Sequence, residues 1–135
     1  MRMYRGKRID GKGWVYGGYS EQRICKPDGM IYLIHATDKT YEVIPESVGQ
    51  STGLYDTHGT EVFKGDIIEL SCGCCRYVIV WNIAGFIPKS DGQSQEHGTD
   101  INVWDVEFEV IGNTTDNPKL LEQENDRLVS ITKRL

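Results

Sequence analysis

The side chains that could carry chemistry are few and scattered. Four cysteines stand at 25, 72, 74 and 75, three of them in the segment SCGCC at 71–75. Cys72 and Cys75 have the two-residue spacing of a zinc half-site. A structural zinc needs four ligands, however, and no second such pair follows. Cys25 and the three histidines, His35, His58 and His97, could complete a site only if the fold carried them there. Free thiols lining a turn are the favoured reading, and the spacing alone leaves metal at Cys72, Cys74 and Cys75 open. A redox role is weaker still, because no helix start stands beside the pair to lower a thiol pKa.

Three carboxylates, Asp105, Glu107 and Glu109, alternate with Trp104, Val106, Phe108 and Val110. On a strand this puts the acids on one face, with neighbours about 7 Å apart. That separation would suit the two acids of an inverting glycosidase. It is also what a solvated strand face needs, and the second reading is preferred. No serine or cysteine sits near a histidine in a known nucleophile motif, and neither a P-loop nor a dinucleotide-binding glycine motif occurs. His58, in the turn DTHG, reads as an exposed turn residue. The expectation is a chain that is not an enzyme, with no catalytic, cofactor-binding or metal residues.

Behind these residues must stand a scaffold, and the composition points to strands. The 135 residues hold 2 Ala and 7 Leu against 23 Ile plus Val, 9 Thr and 13 aromatics. β-Branched and aromatic side chains fit a pleated sheet, whereas the best helix formers are scarce here. Fifteen glycines supply turns. Strands are predicted at 2–9 and 14–19 around the turn DGKG at 10–13. The turn Pro27-Asp28-Gly29 predicts a hairpin joining residues 23–25 to 30–35. Further strands are expected at 40–44, 61–63, 67–70, 76–82 and 101–110, the segment 76–82 being central because it is apolar on both faces. Residues 90–100 carry no apolar side chain and read as a loop. Asp116 or Asn117 followed by Pro118 predicts a short helix over about residues 118–125.

Charge is unevenly placed. Residues 1–26 carry a net +5 and residues 27–135 a net −10. A uniformly basic nucleic-acid binder is thereby excluded, while a small basic face is not. The longest apolar run, Tyr77 to Trp81, is far too short to span a bilayer. The basic start has no apolar stretch behind it and does not read as a secretory signal. A soluble, cytoplasmic protein with no membrane partner is the expectation.

Two segments carry a family resemblance. VGQSTGLYDTHGTEVFKGDIIEL at 48–70 and VIGNTTDNPKLLE at 110–122 resemble the signature blocks of the YopX family of phage and prophage proteins. In the first block Val48, Gly49, Gln50, Thr52, Gly53, Leu54, Asp56, Gly59, Val62, Phe63, Gly65, Asp66 and Ile67 agree with the family pattern. In the second, Val110, Ile111, Gly112, Asn113, Asn117, Pro118, Leu120 and Leu121 agree. The resemblance implies a mostly-β fold, assemblies of several chains, a bacterial host cell, and no agreed catalytic residues. Physically the same residues read as architecture. Gly49, Gly53, Gly59 and Gly65 suit turns, Asp56 and Asp66 suit Asx-type bonds to backbone N–H groups, and Asn113 and Asn117 suit a turn and a cap.

FKGDII at 63–68 adds a similarity to small SH3-like barrels, which predicts a barrel-like core over about residues 53–110. The expected architecture is one domain over 1–135, mostly β. It comprises N-terminal hairpins at 1–52, then a region at 53–125 holding an SH3-like core and one short C-terminal helix. The favoured function is a non-enzymatic phage or prophage accessory protein acting by protein–protein contact and self-association. An alternative is a nucleic-acid-binding module using Arg2, Arg5, Lys7, Arg8 and Lys12 with Tyr4, Trp14 and Tyr16.

Overall fold

The computed structural model describes residues 3–25, 29–71, 73, 75–82, 85–90 and 107–120. The chain is mostly β and forms two compact units, Met1–Gly53 and Leu54–Leu135. The first contains β1 (Tyr4–Lys7), β2 (Trp14–Arg23), β3 (Met30–His35), β4 (Thr40–Glu42) and a 3₁₀ turn at Pro45–Ser47. The strand β5 (Gly49–Tyr55) carries the chain into the second unit. All pairings are antiparallel, in the order β4-β3-β2-β1-β5, with β6 (Glu61–Phe63) beside β5.

The long strand β2 serves two hairpins. Its first half pairs with β1, from Lys7↔Trp14 to Tyr4↔Gly17, and its second with β3, from Gly18↔His35 to Arg23↔Met30. At the change-over a side chain on Gly17 would run into the His35 carbonyl, so the ladders can meet there only across a glycine. The far edge then curls back. Val43 bridges to Arg8, and Ile44 N–H donates to the Lys7 carbonyl at 2.9 Å. Ile34 and Val43 are buried under this curl, and Val43 packs so close to Gly6 that a Cβ there would lie 2.9 Å from it. The 3₁₀ turn is tied in by Ser47, whose Oγ accepts the Lys7 N–H at 2.7 Å and donates to the Ile44 carbonyl at 2.6 Å.

The second unit holds a four-stranded antiparallel sheet in the order β10-β7-β8-β9. Its strands are β7 (Asp66–Leu70), β8 (Arg76–Asn82), β9 (Gly85–Ser90) and β10 (Phe108–Asn113). Val62, Ile68, Tyr77, Ile79 and Phe108 form its apolar core, with Leu54, Leu70, Cys75 and Val110 packed against it. Pro88 has no N–H to donate and lies on β9, which pairs only with β8 among the described residues.

Several expectations are corrected. The sheets are open and no closed, SH3-like barrel forms among the described residues. Closure needs first and last strands to pair, whereas β10 adds onto β7 and leaves the sheet two ends. Gly49 and Gly53 are not turn residues but lie inside β5, where Gly49 pairs with Arg5 and Gly53 adopts φ +80°. Of the strand expected over 101–110, the described residues include a strand only from Phe108, and it runs on to Asn113 with a register shift between Val110 and Gly112. No C-terminal helix is completed among the described residues. Leu120 N–H reaches the Asn117 carbonyl at 3.1 Å, and the rest of the expected 118–125 segment lies outside them. Arg2, Pro27, Asp28, Cys72, Cys74, His97, Trp104, Asp105, Val106 and residues 91–100 of the loop expected over 90–100 also lie outside, while Ser90 ends β9. No helix among the described residues is long and apolar enough to cross a membrane.

Candidate functional site

The signature residues resolve into latches, and Asp56 is the chief one. It begins the turn between β5 and β6 and is 9% exposed. Its Oδ1 accepts the N–H groups of His58 (2.9 Å) and Thr60 (2.8 Å), while Oδ2 accepts that of Val110 on β10 (2.8 Å). Burial pushes its pKa up, but the three backbone donors outweigh burial and hold it below the ordinary 3.8. Thr57 N–H and hydroxyl both donate to the Phe108 carbonyl, at 3.2 and 3.1 Å. One turn of the first block thus clasps the strand that opens the second.

Asp66 performs the parallel task at the next turn, where its Oδ2 accepts the Phe63 N–H at 2.7 Å. In the second block Asn113 Oδ1 accepts the N–H groups of Thr115 (3.0 Å) and Asp116 (2.8 Å), and Asn117 Oδ1 accepts that of Asn113 (3.2 Å). Gly112 is required beside them, since a Cβ there would lie 2.5 Å from Asn117 Oδ1. These acids and amides are occupied in holding backbone.

The basic N-terminal strands are spread over the first unit. Arg5 is 8% exposed, with its guanidinium 4.8 Å from the centre of the Trp14 ring. Arg8 pairs with Asp10 at 2.5 Å and lies over Tyr41 at 4.5 Å, where Lys39 also approaches to 5.2 Å. Tyr4 packs on Tyr19 with ring centres 5.5 Å apart. Burial, reinforced by a hydroxyl bond to Glu21 at 2.9 Å, raises the Tyr19 pKa to about 12. Both edges of β1 are used by its own chain, so strand addition to a second copy through β1 is not available.

The histidines prove better connected than spacing suggests. His58 Nε2 lies 3.0 Å from Glu109 Oε2 on an exposed surface. Glu109 stands opposite Glu69 across β10 and β7, and Glu69 stands opposite Arg76, whose Nε is 2.8 Å from Glu69 Oε2. The facing acids, which would repel alone, each have a cationic or imidazole neighbour. His35 on β3 reaches Ser20 on β2 (Nε2 to Oγ, 2.6 Å) and Thr40 on β4 (Nδ1 to Oγ1, 2.9 Å). Sequence reasoning missed this cluster because its residues share no motif. The hairpin register, which sets His35 against Gly18, is the signal that would find it. Cys25 is exposed and Cys75 half-buried, both as free thiols. Among the described residues no three His, Cys, Asp or Glu side chains are grouped to hold a metal ion.

No curated protein matches this chain. A crystal structure of protein EF1440 from Enterococcus faecalis is similar, with a TM-score of 0.53 and 19% identity, covering 90% of this chain and 98% of that one. At that identity the likeness is one of fold. The model of the YopX protein family matches residues 3–122, which include all of the interlocked turns described above. The chain belongs to the YopX family.

Proposed function

We propose that this chain is a non-enzymatic accessory protein of phage or prophage origin, working in the bacterial cytoplasm by protein–protein contact and self-association. The observation that supports it most is the surface of the first unit. None of the ten residues of β2 is buried, and β3 buries only Ile34. Trp14, Tyr16, Ile31 and Leu33 are therefore half-exposed on one face of these adjoining strands, and Val15, Tyr19 and Tyr32 on the other. Apolar and aromatic side chains held on a rigid sheet are suited to a protein partner.

Nucleic acid is the less favoured partner. Phosphate binding needs accessible cations. Here Arg5 is buried over Trp14, and Arg8 is paired with Asp10 and stacked on Tyr41, which leaves Lys12 as the exposed cation among the described members of the expected basic set. A pull-down from host lysate with and without nuclease separates the two readings. Partners retained after nuclease support protein contact; partners lost with the nucleic acid overturn it.

A further inference from the structure

The Ser20, His35 and Thr40 side chains form a hydroxyl–imidazole–hydroxyl chain that runs across β2, β3 and β4. His35 and Thr40 are exposed and Ser20 is half-buried, so the chain opens to solvent. Its geometry is that of an activated nucleophile: a hydroxyl 2.6 Å from a base nitrogen, with the other ring nitrogen held 2.9 Å from a third group. Room for a reactant lies next to it. Gly18 is two residues from Ser20 on the same strand and faces His35 in the register. A Cβ added at Gly18 would meet no atom within 4 Å.

We propose that Ser20 is an acceptor site for activated acyl groups, with His35 as its base and Thr40 as the residue that positions His35. The imidazole carries its proton on Nδ1 and donates it to Thr40 Oγ1, leaving Nε2 to accept from Ser20. As Ser20 Oγ bonds to the acyl carbon of an ester, its proton passes to Nε2. The tetrahedral intermediate collapses, the bond from carbon to the leaving oxygen breaks, and that oxygen takes the proton from Nε2. The products are an O-acyl serine and a free alcohol, with no change of oxidation state. Serine hydrolases place a carboxylate where Thr40 stands, to stabilise the imidazolium. A neutral hydroxyl stabilises it less, so the site acylates once and turns over slowly. This is a modification site on a chain that needs no enzymatic role.

The test uses p-nitrophenyl acetate on the full chain, following p-nitrophenolate release, intact mass and peptide maps. Ser20 is expected to acquire an acetyl group faster than the other serines, and Ser20→Ala to remove that fast phase. His35→Gln should slow acetylation about 100-fold, at the low end of what a general base supplies. Thr40→Val should slow it less, and Thr40→Ser should restore the rate, which a merely structural role for the residue would not require. Gly18→Val, which fills the open space and leaves the three partners in place, should block the ester. Slower reaction in deuterium oxide marks the proton transfer. Acetylation of Ser20 no faster than of other serines, or a rate unchanged in His35→Gln with folding intact by circular dichroism, overturns the proposal.

Discussion

The two units solve the same problem by different means. The second buries a compact apolar cluster, Val62, Ile68, Tyr77, Ile79 and Phe108, and fastens its turns with the carboxylates of Asp56 and Asp66. Among the described residues the first buries only Ile34 and Val43 of its large apolar side chains. It holds its curl instead by a bridge at Arg8↔Val43, the Ser47 hydroxyl, and cations stacked on Trp14 and Tyr41. Of the residues that agree with the signature blocks, all but Val48, Gly49, Gln50, Thr52 and Gly53 fall in the second unit. The family signature thus mainly records how one sheet is latched. The first unit leaves its aromatic strands half-exposed, and there the surface chemistry is concentrated.

This contrast is broken most sharply at Asp56. Asp56→Ala leaves three backbone N–H groups without their acceptor, and should cost the second unit about 4 kcal/mol in urea unfolding. Asp56→Asn should cost less, because an amide oxygen still accepts on one side. In the first unit the corresponding lesion is Gly17→Ala, which drives a methyl group into the His35 carbonyl where β2 changes partners. About 2 kcal/mol is expected, read as faster amide exchange in β2 and β3.

The extremes of pH should separate the units. Asp56 is held below 3.8, so its contribution is complete above that value and is lost as pH falls through its lower folded pKa. Acid should therefore loosen β5–β6 and β10 first. Tyr19 is raised from 10.0 to about 12, so its contribution is complete below 10 and fades as pH climbs between those values. Alkali should loosen the first unit, with tyrosinate absorbance rising in step. Hydrogen exchange resolved by peptide checks both directions, and the reverse order would contradict the assignment. The smallest effect belongs to His58→Ala. Its pair with Glu109 is exposed, and thermal unfolding should change by about 0.5 kcal/mol or less.

Where local chemistry decides structure, the sequence was legible. The DGKG turn forms with Gly11 and Gly13 at positive φ and Lys12 N–H bonded to Asp10 at 3.0 Å. The hairpin from Arg23 to Met30 and the central position of β8 also follow from patterns of a few residues. What was not legible depends on distant partners. β5 is rich in Gly, Ser and Thr, and becomes a strand because β1 and β6 pair on either side of it. The open sheet in place of a barrel is a matter of which strands meet, which no short motif such as FKGDII specifies. Asp56 could be read as a turn residue, but its grip on Val110 spans 54 positions. The Ser20–His35 contact likewise needs the register of a hairpin whose turn lies between them.

Self-association is the claim that most needs a direct answer. The charge division, +5 over residues 1–26 against −10 over the rest, favours contacts between copies. Because β1 is paired on both edges, strand addition through β1 is not the route, and contacts between copies would use side chains on the sheet faces or another strand edge, such as that of β9. Light scattering on the full chain at tens of micromolar is the decisive measurement. The expected mass is a multiple of 15.3 kDa that falls as salt is raised. A monomer of 15.3 kDa throughout that concentration range would contradict it.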